Sequence, residues 1–490
     1  MARKRVIIDC YTDEPAGLGV PPFLGTHPRI VFGELKGKAE YLTIDDLRIF
    51  SAQIKLTSSK LDPPTAKTRI DLLNRTRSPE KAKQLLSSAD QIIVVAGLQT
   101  PGKYLSAQPA GLKEISKLLK PLKATKILTG PAASIGTQQM GGFAAELPDR
   151  GIFDHIREYK FADYREMQPA FTKGADVLKQ ITAERIIEIE TGRGCSRQSG
   201  CSFCTEPLKQ QLCWREPDLI IEEVKKLTQN GAARFRLGKQ SCIYSYMKSS
   251  PEKLEQLLSG IKALEPSVFH IDNANPAFVT KELTELFVKY LTPGSTAAMG
   301  AETFDPEVYR LNNLNSSPEN TLQAIEIINE CGRSYGDNGM PALLPGINIL
   351  LGLEGESERT LELNFQALKD MLKKDLFVRR INIRQVVPFP GTRLYEVAGD
   401  RYLRKNKHLY SAWSRKIREE IDLPMLEKIF PEGHRLYGLL AETHEGNVTF
   451  LRHPGSYPII VGVRQRLELG RFYDVKVTGH MLRSLTGELI

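Results

Sequence analysis

Three β-branched apolar runs mark the first part of the chain: RVIIDCY, QIIVVAGL and TKILTGPAAS. Each ends in polar or turn-forming residues. Between the last two, AGLKEISKLLK spaces its apolar residues three and four apart. Short bounded runs predict buried strands and that spacing predicts an amphipathic helix. Residues 1–165 are therefore expected to form a Rossmann-like or flavodoxin-like α/β layer. PAGLGVPPFLG, Pro15 to Gly25, predicts either a rigid turn or a loop that approaches a ligand closely. Thr57 to Lys83 is polar and predicts loop or irregular helix.

From Arg185 the period alternates between strand and helix. IIEIET, ARFRLGKQ, VFHIDNANP, AAMGAET, GINILLGLEGES and INIRQVVPFPGT read as strands. The first five are followed by helical patterns such as EPDLIIEEVKKLTQNG and SERTLELNFQALKDML. Such a series predicts a parallel sheet curled into a partial (β/α)6 barrel over residues 183–400. In barrels of this kind chemistry gathers at the C-terminal strand ends. Residues 401–438 read as a basic helical linker. Residues 439–490 carry the short runs GNVTFLR, YPIIVGVR, FYDVKVTGH and SLTGELI, which predict a small OB-like β-barrel. The expected fold class is α/β, with the partial barrel between a Rossmann-like domain and this tail.

A chain of 490 residues exceeds what one hydrophobic core supports. The net charge of +9 permits a phosphate-bearing partner without demanding one. Seven cysteines, three of them clustered, do not form a disulfide pattern and suit a reducing compartment where thiols bind metal. No apolar run approaches the roughly 18 residues of a membrane span, and MARKRVIIDCYTDEPAG is not a signal peptide. A cytoplasmic protein without membrane contact is expected.

IETGRGCSRQSGCSFCTEP places Cys195, Cys201 and Cys204 in a C-x5-C-x2-C loop after the first barrel strand. Three readings compete. Three thiolates hold three irons of one [4Fe-4S] cluster and leave the fourth open; or Cys213 completes a four-cysteine zinc site; or the cysteines are structural. Phe203, before the last cysteine, is placed to pack on a purine, and the loop leaves a strand of a β/α series. Both features favour the cluster.

The loop resembles that of the radical S-adenosylmethionine (SAM) enzymes, whose usual spacing is C-x3-C-x2-C with an aromatic before the last cysteine. Two extra residues separate Cys195 from Cys201. ETGRGCSR, GCSFCTEP, RFRLGKQ, HIDNANP and PFPGT resemble a largely archaeal group within that superfamily. The resemblance implies a radical SAM barrel, one [4Fe-4S] cluster, SAM, and a reduced flavodoxin or ferredoxin as electron donor. It implies that Gly238 and Gln240 stand where SAM's amino group is held, and that Glu302 meets its ribose or methionine. It implies that Gly352 and Pro388 pass near the adenine. Asp272 and Asn273 end the third strand on the same rim, as ligands or as turn formers. Cys242 is either a substrate-facing hydrogen donor or a packed thiol; no other catalytic residue is assigned.

The Asp-x-His-x-x-Gly motif of base-off cobalamin proteins is absent, which argues against cobalamin. The N-terminal region holds one cysteine, Cys10, which argues against a second cluster. The tail resembles the TRAM domain of tRNA-modifying enzymes. That implies an RNA substrate, with Arg452, Arg464, Arg466, Arg471, Lys476 and Arg483 toward phosphates and Phe450, Tyr457 and Phe472 toward bases.

Overall fold

The β-branched runs near the start of the chain become parallel strands because their side chains are buried on both faces. The computed structural model describes residues 3–10, 23–51, 74–97, 109–158, 163–181, 184–197 and 199–490. Most of the Pro15–Gly25 loop and the first part of the Thr57–Lys83 stretch lie outside the described residues. The chain divides into two units, Met1–Glu190 with Asp218–Phe235, and Thr191–Pro217 with Arg236–Ile490.

In the first unit, β1 (Arg5–Asp9), β2 (Glu40–Thr43), β3 (Gln91–Val95), β4 (Thr125–Thr129) and β5 (His155–Ile156) form a parallel sheet in the order β2-β1-β3-β4-β5. This is the flavodoxin-like order. Strands β2 and β5 carry too few apolar residues to be read from the sequence. Ile8, Leu42, Val94 and Leu128 are fully buried in its core. Two helices, α1 (Thr26–Glu34) and α2 (Tyr164–Gly174), cross with almost no side chain between them. A Cβ on Gly33 would stand 2.0 Å from the Ala170 carbonyl oxygen, and one on Gly174 would stand 2.3 Å from that of Arg29. Arg29 is fully buried. Its guanidinium donates to the Leu24, Gly25 and Glu188 carbonyls and pairs with Glu223 at 2.9 Å. Removing one partner of such a pair strands a buried charge.

The expected barrel strands are present: β6 (Ile186–Glu190), β7 (Arg234–Gly238), β8 (Val268–Ile271) with its continuation β9 (Asn273–Ala274), β10 (Ser295–Glu302), β11 (Leu343–Leu351) and β12 (Arg380–Gln385). In the second unit β9, β10, β11 and β12 pair in sequence as a parallel sheet. The intervening helices start at residues that satisfy their own first-turn amides. Ser250, Thr280 and Ser317 side chains accept from Lys253, Leu283 and Asn320. Their apolar stripes are buried, as with Leu254, Leu257 and Ile261.

Beyond the sheet, a helix over Arg401–Ile417 leads through a π-helical turn into a short helix over Leu423–Ile429. The tail is a closed five-stranded barrel: β13 (Arg435–Glu445), β14 (Val448–Arg452), β15 (Ile460–Val463), β16 (Phe472–His480) and β17 (Leu485–Leu489), in the order β13-β14-β15-β17-β16. Strand β13 begins inside the stretch expected to be helical. Its exposed Arg435 and Tyr437 blur the alternation that would have announced it. No helix among the described residues is long and apolar enough to cross a membrane.

Candidate active site

The cysteine loop is shaped by two glycines in the left-handed region. Gly194 has φ +76°, and a Cβ there would stand 2.5 Å from the Gln211 carbonyl oxygen. Gly200 has φ +60°, and a Cβ would stand 2.6 Å from the Pro207 ring. Only glycine accepts both conditions without strain. Asn312 and Asn313, just past the fourth strand, tie the loop down. The buried Asn312 accepts from the Ser202 hydroxyl at 2.7 Å and donates to the Glu354 carbonyl at 2.8 Å. Asn313 accepts from both terminal nitrogens of Arg197 and donates to the Gly200 carbonyl. These two asparagines were not singled out in the sequence.

Cys195, Cys201 and Cys204 are all partly buried. The Arg197 amide lies 3.5 Å from the Cys195 sulfur, and the Glu206 amide 3.4 Å from that of Cys204. The Arg197 guanidinium lies 3.8 Å from Cys201. Burial pushes the Cys201 thiol up to about 12, with Cys204 and Glu302 adding and Arg197 opposing. Burial pushes Cys204 up to about 11, opposed by the Glu206 amide. A metal group bound to Cys201 and Cys204 would supply the charge that favours their thiolates.

The three sulfurs influence one another electrostatically. Yet among the described residues no three His, Cys, Asp or Glu side chains converge on one metal-ion position. Cys213, the fourth ligand of the zinc alternative, is exposed on a hairpin strand and its sulfur faces the Trp214 carbonyl.

Around the loop, Phe203 is partly exposed. Gly238 ends β7, and its carbonyl accepts from the Thr191 amide. Two residues on, Gln240 is 3% exposed and its side-chain oxygen has no hydrogen-bond partner among the described residues. A buried acceptor without a donor costs stability and marks a place for a ligand's N–H. Glu302, at the end of β10, has φ +60°, a costly backbone for a residue with a Cβ. Its carboxylate folds back over Gly300, where a Cβ would lie 2.5 Å from the carboxylate oxygen. Burial lifts its carboxyl to about 7, with Arg384 opposing. A strained, half-buried, unbonded acid that acts electrostatically on Cys201 is the mark of a functional group.

Other expected residues serve differently. Asp272 accepts from the Tyr457 hydroxyl at 2.9 Å and lies 3.5 Å from Arg236, so it joins the tail to the third strand. Asn273 is exposed. Cys242 is 2% exposed, and its sulfur accepts from the Asn275 amide at 3.1 Å. Gly352 has φ +90°, and a Cβ there would meet Leu403 at 2.2 Å. Its amide donates to Glu356, whose carboxylate also accepts from Asn406 and Tyr410. Pro388 is buried. In the tail, Arg452 pairs with Glu442 at 2.9 Å, so this cation and Tyr457 are used inside the protein.

Residues 189–368 match the Radical SAM superfamily. The chain is 38% identical to uncharacterized protein MJ0274 of Methanocaldococcus jannaschii, over 100% of this chain and 94% of the relative. It is 36% identical to an uncharacterized protein of Archaeoglobus fulgidus, over 99% of this chain and 89% of the relative. Among solved structures it is similar in fold to the radical SAM methyltransferase TsrM from Kitasatospora setae with tryptophan and a SAM analogue bound. That match has a TM-score of 0.51 and 13% identity, and covers 80% of this chain and 75% of that one. TsrM with cobalamin and a [4Fe-4S] cluster matches with a TM-score of 0.49. The expectation against cobalamin has no support in this protein: the missing Asp-x-His-x-x-Gly motif supplies only a lower axial ligand, and a corrinoid does not need one to be bound.

Proposed function

The chain belongs to the radical SAM superfamily of enzymes, and we propose that Cys195, Cys201 and Cys204 hold one [4Fe-4S] cluster at which SAM is reductively cleaved. The observation that carries this reading is a loop that brings three partly buried cysteines into electrostatic reach of one another and of the unbonded Glu302, with the orphaned Gln240 oxygen two residues past a barrel strand. When bound, the cluster supplies the electron that breaks the S–C5′ bond of SAM and gives a 5′-deoxyadenosyl radical; the donor is a reduced flavodoxin or ferredoxin. The chain's own residues bind and orient. Gln240 offers its free oxygen to SAM's ammonium. Glu302 accepts from hydroxyls on the ribose. Arg197 stands by Cys201, and the asparagine brace fixes the loop before any ligand arrives. A preorganised site of this kind spends no binding energy on ordering itself.

RNA is the proposed substrate, presented by the closed tail barrel. Phe472 is 54% exposed, and Arg464, also exposed, has no partner among the described residues. Base stacking needs an open aromatic face and phosphate contact needs unpaired cations. Anaerobic reconstitution with iron and sulfide, followed by dithionite and SAM, tests the first reading. About four irons per chain and release of 5′-deoxyadenosine are expected; zinc alone, with no nucleoside released, refutes it. Salt-sensitive retention of tRNA, lost in Phe472→Ala with Arg464→Ala, tests the second.

A further inference from the structure

The sheet β9-β10-β11-β12 has two unlike faces. Residues paired across parallel strands share a face. Met299, Ile347 and Ile381 pair on one face and are at most 2% exposed. On the other face Ala298, Gly346 and Arg380 share one level, Gly300, Asn348 and Asn382 the next, and Leu350 and Arg384 the last. Glu302, folded back over Gly300, belongs to this second face. Its two small residues, Gly300 and Gly346, leave room in front of the longer polar ones. Asn348, Asn382, Arg380 and Arg384 all remain partly exposed.

Arg380 is held rather than free to wave. Its Nε donates to Asn382 Oδ1 at 2.6 Å, and Asn382 Nδ2 donates to Asn348 Oδ1 at 2.8 Å. Its guanidinium lies 5.5 Å from the Tyr457 ring centre, and the Tyr457 hydroxyl is anchored on Asp272. This relay occupies the Nε edge of Arg380 and the oxygen of Asn348. Both terminal nitrogens of Arg380, and the amide nitrogen of Asn348, have no acceptor among the described residues. Arg384 has no hydrogen bond or ion pair among them. Burial works against the charge of Arg380, with Arg483, Arg384 and Arg379 adding and Tyr457 and Asp422 favouring it. Oriented guanidinium nitrogens without a hydrogen-bond acceptor are suited to grip an anion.

We propose that this face binds an oxyanion of the substrate, a phosphate or a carboxylate, through the terminal nitrogens of Arg380 together with Arg384 and Asn348. The inference rests on the reading that SAM occupies the rim at Gln240 and Glu302. The anchored anion fixes which substrate carbon lies near that rim. The two sources share the planar oxygen pair that a guanidinium recognises.

The test is calorimetric titration of the full-length, anaerobically reconstituted holoprotein at low salt, with saturating SAM present. Pyrophosphate is the phosphate probe and citrate the carboxylate probe. Saturable binding of one probe is expected, and which one binds identifies the source. Arg380→Gln and Arg384→Gln should each weaken it by about ten- to a hundredfold. Arg380→Lys keeps the charge, removes the fork, and should weaken binding in a chain that folds. No saturable binding of either probe overturns the proposal. So does binding unaffected by the Arg380 and Arg384 variants, or binding displaced by SAM. The same samples are assayed for 5′-deoxyadenosine. Anion binding without that product sustains this site and removes the radical reading; the product without anion binding does the reverse.

Discussion

Replacing Glu302 with Gln is expected to stabilise the metal-free protein and to weaken SAM binding in the reconstituted one. Burial lifts the Glu302 carboxyl from 4.5 to about 7 in the folded chain. The sign follows from linkage. Below the unfolded value both states hold the proton and the group costs nothing. As pH rises from about 4.5 to about 7, the unfolded chain releases the proton while the folded chain keeps it, so stability falls. Above about 7 the loss is complete and amounts to about 3 kcal/mol at most, since part of the side chain still meets solvent. Cys201 and Cys204, lifted to about 12 and about 11, do not titrate in this window. Urea unfolding of chelator-treated protein at about pH 8 and about pH 5 separates the contributions. Glu302→Gln should gain up to about 3 kcal/mol at the higher pH and little at the lower. Glu302→Gly should gain a further ~1 kcal/mol at both, because it also relieves the left-handed backbone. In reconstituted protein, Glu302→Gln should weaken SAM binding about tenfold or more in equilibrium dialysis. A stability difference that does not change with pH, or wild-type SAM cleavage by the variant, would refute the reasoning.

Alanine at Cys195, Cys201 or Cys204 should lower bound iron and remove the cluster's reduced electron paramagnetic resonance signal, whereas Cys213→Ala should leave both intact. Gly33→Ala should destabilise the protein by about 2 kcal/mol or more in chemical denaturation, because its Cβ would stand 2.0 Å from a backbone oxygen. Tyr457→Phe removes the hydroxyl bonded to Asp272 and should cost about 1–3 kcal/mol. It should leave tRNA retention unchanged if Phe472 and Arg464 carry that contact. Cys242→Ala should leave 5′-deoxyadenosine formation unchanged, since the sulfur is packed against the Asn275 amide.

Much of the candidate site was legible because it is local. The three cysteines, Phe203 and the glycines around them lie within one loop, and the loop follows a strand whose end the apolar run marks. Gln240 was legible as a strand-end acceptor, but its isolation was not. An orphaned oxygen is defined by what fails to surround it, and those groups come from elsewhere in the chain. The surroundings of Gly352 were hidden for the same reason: the room it leaves is filled by Leu403, and its amide donates to Glu356. Tyr457 and Arg452 read as surface groups for RNA until their partners, Asp272 and Glu442, came within reach.

Periodicity over ten or so consecutive residues was enough to determine the α/β class, five of the helices that follow barrel strands and four of the five tail strands. Strand β13 escaped because its alternation is interrupted by exposed residues. Strand register, and with it the face that gathers Arg380, Arg384, Asn348, Asn382 and Glu302, was decided only in three dimensions. A slip of one residue in β12 would put Ile381 and Ile383 on that face in place of the two arginines, without altering the strand's own sequence. What holds the register is burial of Met299, Ile347 and Ile381 on the opposite side, a contribution shared by strands far apart in the chain.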